Sequence, residues 1–365
     1  MRRLIRRAIV LAVVAVACAG AIRVGCGTPP GLSQVQGVPR LGEPALVDLV
    51  PATERRREDN AYLTFPEWYI VYSAQDYAEW TARRTPTEFP YFHSVGQYWC
   101  GYSYAYQLTA DRYEPNYGYH AMLLVIGVSY TLEYAAKGLY EGVVGRLTEA
   151  VSTDPLTQED RFAAAVAREY AEFLPQRPWY LFPFWARVQL LWSGPLPDGP
   201  DAARRWERRV ALSVEYVIKA AYGWVIGQVS GAAYGADQER SLAVVQGYTD
   251  EALRSMSDIR VVRRLADDRV LVSVPRYAAF DRAVRGLSEE YGQLLMLGGN
   301  DQIVLSVVAP AGWAPPPGRA TRLFDLPLPL DPGWRRIALL VPVPGLLDLI
   351  RGLGDGARLE HVYDY

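Results

Sequence analysis

The sequence predicts an α+β protein in three parts: an N-terminal membrane anchor or signal segment, an aromatic-rich all-helical domain, and a small ferredoxin-like (split β-α-β) α+β domain. Three observations predict it. Basic residues Arg2, Arg3, Arg6 and Arg7 lead into the uninterrupted apolar run Ala8 to Ile22. Eight of the ten tryptophans lie between Trp68 and Trp224, amid long stretches with helix signals. After about Arg240 the texture changes to short apolar runs alternating with helical patterns. The expected divisions are 1–26 (signal or anchor), 27–58 (Pro/Gly linker), 59–238 (helical domain) and 239–365 (α+β domain).

The apolar run suits a signal core and is short for a span. The positive flank places the amino end in the cytoplasm and the body across the membrane. The expected location is therefore the bacterial inner membrane, with a periplasmic body. An uncleaved anchor is preferred to a cleaved signal or a lipoprotein. Cys18, after Ala15-Val16-Ala17, fits a lipobox only loosely, and Cys26 is a poorer candidate. Beyond these, Cys100 stands alone, which implies neither a disulfide framework nor a cysteine metal site.

Pro29, Pro30, Pro39, Pro44 and Pro51 mark residues 27–56 as an extended tether. Tyr62–Tyr77 and Phe89–Leu108 read as helices separated by the turn-prone residues 84–87, and His120–Glu149 as a longer one. Thr157 with Glu159 and Asp160 is a helix start, and Pro175 stops that helix. Trp179–Trp192 is an aromatic segment, read as core, with docking at a membrane interface the second reading and a sugar-stacking surface the third. Asp201 can cap a helix running to about Ala233, on which Gly223, Gly227, Gly231 and Gly235 form a bare stripe for close packing. Further on, residues 269–275, 335–342 and 358–365 read as strands, and 278–291 and 345–353 as helices. Residues 294–297 and 302–308 read as a hairpin around Gly298-Gly299-Asn300-Asp301, and 310–332 as a proline-rich excursion. Two strand–helix–strand units are expected to form one small antiparallel sheet with both helices on one face.

The formal net charge of −2 gives no general attraction to nucleic acid. Of the 38 basic side chains only Lys137 and Lys219 are lysine, and they occupy one slot of a repeated Glu-Tyr-x-x-Lys-x-x-Tyr phrase. A compact ammonium at two matched places suggests a site where a guanidinium does not fit. Glu133 and Glu215 precede their lysines by four residues, the favourable helical spacing. The neighbours are apolar, so the expected arrangement is two half-buried ion pairs crossing between matched helices. The functional alternative is a shared polar pocket of Glu133, Lys137, Tyr140, Glu215, Lys219 and Tyr222, with a desolvated lysine as base, nucleophile or anion ligand. Glu67 and His120 are secondary candidates.

No phosphate loop, nucleophile elbow, zinc spacing or Glu-x-x-His pair occurs, so no cofactor or metal is expected. The run Arg204-Arg205-Trp206-Glu207-Arg208-Arg209 is expected as a solvated face, or as a contact for anionic lipid or an acidic protein partner. Both repeat helices are short of spanning length and each would carry a Glu and a Lys into lipid. A soluble or membrane-resting domain is therefore preferred to a three-span protein.

The phrases Thr64–Tyr72 (TFPEWYIVY), Phe89–Val95 (FPYFHSV) and Leu359–Tyr365 (LEHVYDY) resemble those of an uncharacterised bacterial envelope family. The resemblance implies no activity, cofactor or catalytic residue. The expected function is thus a membrane-tethered binding or assembly component. An enzyme or transporter-like component using the Glu/Lys/Tyr pocket is the alternative.

Overall fold

The computed structural model describes residues 25–35, 43–154, 156–230 and 239–364. The apolar run, Cys18, Gly231 and Gly235 lie outside the described residues. The chain is α+β, with helices followed by two antiparallel four-stranded sheets.

Among the described residues, six helices of ten residues or more precede the sheets. They are α1 (Asp59–Thr81), α2 (Tyr91–Thr109), α3 (Tyr117–Tyr140), α4 (Gln158–Phe173), α5 (Phe184–Ser193) and α6 (Ala202–Ser230). Asn116 caps α3, its side chain accepting from the Tyr119 amide. A wide turn at Glu141–Gly145 then shifts the register of α3 before the last turn, Arg146–Glu149, and points Glu141 inward. Thr157 and Asp160 cap α4 reciprocally, as the sequence suggested. Asp201 instead accepts from the Ser152 hydroxyl and the Thr153 amide, tying the start of α6 to the end of α3.

The strands β1 (Arg240–Gln246), β2 (Arg260–Arg264), β3 (Arg269–Pro275) and β4 (Gln293–Leu297) form the first sheet, in the order β2-β3-β1-β4. Then β5 (Gln302–Pro310), β6 (Thr321–Pro327), β7 (Trp334–Pro342) and β8 (Arg358–Tyr363) form the second, in the order β6-β7-β5-β8. Both halves thus repeat one strand order. Helix α7 (Asp250–Ser255) joins β1 to β2, α8 (Ala278–Glu289) joins β3 to β4, and α9 (Leu346–Arg351) joins β7 to β8. Helix α8 touches both β3 and β8 and packs on α9.

Two expectations fail here. Residues 294–308 are not a hairpin, and the two strand units do not share one sheet. Only an isolated bridge, Leu297 to Asn300, spans the turn, while β4 pairs with β1 and β5 pairs with β7 and β8. Strand β5 is buried along almost its whole length, so both of its edges are taken by strands distant in sequence. β6 occupies part of the expected proline-rich excursion.

One core joins Leu63, Tyr69, Tyr98 and Leu123 of the helices to Val272, Leu305 and Leu339 of the sheets. Helices α4, α5 and α6 keep a smaller core of their own around Val166, Phe184, Leu212 and Tyr216. Described parts of the segment expected as an extended linker pack on the sheets. Leu46 and Val50 cover Val244, Leu271 and Met296 of the first sheet, and the Gly31 amide donates to Leu323 O of β6. The cysteine expectation is also overturned: Cys26 is disulfide-bonded to Cys100 of α2 across 74 residues of sequence.

Candidate functional site

The repeated phrase places Glu133 and Lys137 on α3, and Glu215 and Lys219 on α6, one helical turn apart in each case. The helices run antiparallel, so the four charges close into an alternating ring. Lys137 Nζ lies 3.2 Å from Glu133 Oε1 and 2.7 Å from Glu215 Oε1. Lys219 Nζ lies 2.9 Å from Glu133 Oε1 and 3.1 Å from Glu215 Oε1. One oxygen of each carboxylate therefore bridges two ammonium groups. That geometry needs a small, roughly spherical cation; a planar guanidinium would push the helices apart.

Aromatic rings support the ring of charges from below. Lys137 stands 5.2 Å from the centre of Tyr77 and 5.9 Å from that of Tyr134, and Lys219 stands 5.3 Å from both Tyr170 and Phe184. Burial works against ionisation of all four groups, but the opposite charges outweigh it. Glu215 is held at about 2 by Lys137 and Lys219. Glu133 is lowered by the same two ammoniums, and both lysines are raised by the two carboxylates. A lysine so raised is no base at neutral pH.

Tyr140 and Tyr222 do not line this ring. The Tyr140 hydroxyl donates to Glu207 Oε1 at 2.7 Å, and Tyr222 packs against Trp179 with ring centres 5.4 Å apart. The tyrosines that do so, Tyr77 and Tyr170, come from α1 and α4, and only Tyr134 belongs to the repeat.

A second ionic cluster, which the sequence reading missed, lies where α3, α4 and α6 meet. The arginine run opening α6 is neither a solvated face nor a free cationic patch. Arg204, Arg208 and Arg209 are each at most 3% exposed. Arg208 reaches Glu141 at 2.5 Å and Asp160 at 2.9 Å. Arg209 and Arg205 share Glu159, at 2.9 and 3.0 Å, and Arg204 pairs with Glu207 at 2.9 Å. Four arginines face Glu141, Glu159, Asp160 and Glu207, so the cluster is balanced. The acids in the first turn of α4 were one available signal, since they complement the basic start of α6.

Glu67 and His120 lie apart from both clusters. Glu67 accepts from the Tyr119 hydroxyl at 2.6 Å, and burial pushes its carboxyl up. His120 contacts Tyr102 and Tyr106, and burial lowers it. Beside Glu67, Trp68 stacks on His361 with ring centres 3.5 Å apart. His361 Nδ1 meets Asp281 Oδ2 at 2.5 Å, and its Nε2 has no hydrogen-bond partner among the described residues. Asp364 accepts from Arg276 and from the amide of Tyr277, whose φ of 60° is unusual for a non-glycine residue. The phrase 64–72 and residues 359–364 of the closing phrase therefore meet in space, with Tyr72 and Tyr363 hydroxyls 2.7 Å apart. Acid and imidazole are close there, but His361 is only 1% exposed.

Cavities of about 420 and 400 Å³ open elsewhere, one beside Arg285, Trp334 and Arg358 and one between Ala82 and Arg168. Among the described residues, no group of three or more His, Cys, Asp or Glu is placed to hold a metal ion. Compared with family models, curated proteins and solved structures, the chain matches none.

Proposed function

We propose that the protein is a membrane-tethered component of the bacterial envelope, with its body on the extracytoplasmic side, serving in binding or assembly. The observation that carries this reading is the Cys26–Cys100 disulfide. Disulfides persist in exported compartments and are rare in the cytosol. Cys26 follows the basic and apolar N-terminal run by only four residues, so the oxidised side and the far end of the anchor coincide. The closed ring supports a non-catalytic reading, since every ammonium is shared by two carboxylates and every carboxylate by two ammoniums. Each sheet is read as a split β-α-β unit of ferredoxin type. In both, the outer crossovers skip one strand and all neighbours are antiparallel, as that arrangement requires.

Alkaline phosphatase fusions after residues 110, 200 and 364 test this. Activity is expected at all three, together with protection of Cys26 and Cys100 from alkylation until a reductant is added. An inactive fusion after 200, or freely alkylated thiols, would overturn it.

A further inference from the structure

Polarity is inverted on the outer helices. The exposed positions of α3 from Ala121 to Val144 are all apolar or glycine, and those of α6 from Ala203 to Val225 are all apolar or aromatic. Val125, Val128, Leu132, Leu139 and Val143 on α3 are each at least half exposed, as are Val210, Val214, Ile218, Trp224 and Val225 on α6. Ten charged side chains occur on Tyr117–Gly145 and Ala202–Gln228, and none is more than 37% exposed. Water-soluble surfaces do the opposite. Charges turned inward and paired, with hydrocarbon turned outward, is how helices in contact with lipid are built.

The ring sets the relation of the two stripes. Because Glu133 faces Lys219 and Lys137 faces Glu215, the stripes lie side by side, each roughly 20–30 Å long at 1.5 Å per residue. Together they make a slab far larger than a scattered surface leucine.

We propose that this slab lies flat in the outer leaflet of the membrane, against acyl chains, with α3 and α6 parallel to the bilayer plane. Three observations select that occupant and that orientation. First, Ile22, the last residue of the apolar run in the sequence, is four residues from Cys26, a reach of at most about 14 Å. Cys26 is bonded to Cys100, whose neighbour Trp99 donates to Thr131 on α3 at 2.9 Å. An anchored chain therefore holds the slab at the membrane surface. Second, α6 is, among the described residues, the one helix long and apolar enough to cross a bilayer, and yet crossing is excluded by what stands beside it. Tyr77 lies under Lys137, and the adjacent Asp76 meets Arg336 of β7 at 3.4 Å. A bilayer perpendicular to α3 and α6 would immerse that sheet, including the partly exposed Arg335. Third, half-exposed Trp185, Trp192 and Trp206 border the α5–α6 side, where aromatic residues seat at a lipid interface. This deepens the tethered reading above and depends on it only for delivery to the membrane.

The test uses the full chain with Cys18→Ser, reconstituted in phosphatidylethanolamine/phosphatidylglycerol vesicles with the disulfide intact. A fluorophore is placed at Leu132→Cys, Val214→Cys or Ile218→Cys, and at Tyr291→Cys, which is 98% exposed. Lipids brominated on the acyl chain should quench the three slab positions severalfold more than Tyr291→Cys, and aqueous iodide should do the reverse. Iodide quenching the slab positions as well as Tyr291→Cys would overturn docking while leaving flotation, and thus the tether, intact. Shielding from both quenchers would mean a second protein surface covers the slab and would also overturn it. A chain that does not float with the vesicles sinks both readings.

Discussion

Lys219 Nζ is closer to Glu133 on the neighbouring helix, at 2.9 Å, than to Glu215 on its own, at 3.1 Å. Lys137 shows the same preference, 2.7 Å across and 3.2 Å along. The interhelical contacts are the shorter ones, so the ring locks α3 to α6 rather than merely stiffening each helix.

Lysine identity should therefore matter. Lys219→Arg and Lys137→Arg are each expected to cost about 1–3 kcal/mol, as overpacking does. Arg→Lys changes at exposed sites such as Arg260 should fall within about 0.5 kcal/mol. Chemical denaturation of the variants checks this; unchanged midpoints for both lysine variants would refute the steric account. A Glu133→Gln/Lys219→Met cycle should show coupling of about 0.5–3 kcal/mol.

The pH dependence has a defined sign. Glu215 is held at about 2 in the fold, below the ordinary 4.5, and Glu133 is also lowered. Their contribution is present above about pH 4.5 and is lost as pH falls toward 2. The lysines are raised, so their contribution is complete below 10.5 and lost only above it. Urea midpoints should fall between pH 4.5 and 2 in the wild type, and less steeply in Glu215→Gln.

Arg208 should be costly to remove. Arg208→Ala leaves Glu141 buried without its nearest cation and Asp160 with only Arg204 at 3.5 Å, and is expected to cost about 3–5 kcal/mol. Arg161→Ala, whose side chain is 62% exposed beside Asp154, should cost less than about 1 kcal/mol. Equal losses in a denaturant titration would show that burial of the cluster does not govern its worth.

Cys100→Ser should lower stability by about 2–4 kcal/mol, since the bond closes a long loop in the unfolded chain. Wild-type protein under reductant should match it. A larger drop in the variant than in reduced wild type would point to a packing role for Cys100 as well.

Much of the local structure was legible in sequence because its causes are local. The Thr157–Asp160 cap, the period of α3 and α6 and the run Arg269–Pro275 each rest on neighbours within a few residues. Strands β1, β2 and β6 were not legible. β2 is exposed throughout and β6 ends in a proline, so neither carries the alternation that marks a strand in isolation. The turn at Gly298–Asn300 was read correctly as a turn, but a turn does not say whether its arms pair with one another.

By itself, the sequence determined that two lysines sit at matched points of two helices, each four residues after a glutamate, among apolar neighbours. Only tertiary structure decided that the helices run antiparallel, so that two pairs become one ring. It also decided that Tyr77 and Tyr170, rather than Tyr140 and Tyr222, face the ammoniums, and that Arg204, Arg208 and Arg209 are spent on acids of α3, α4 and α6. The reason is physical: helical spacing is set by hydrogen bonds four residues apart, whereas the partner of a buried charge is set by which distant helix packs against it.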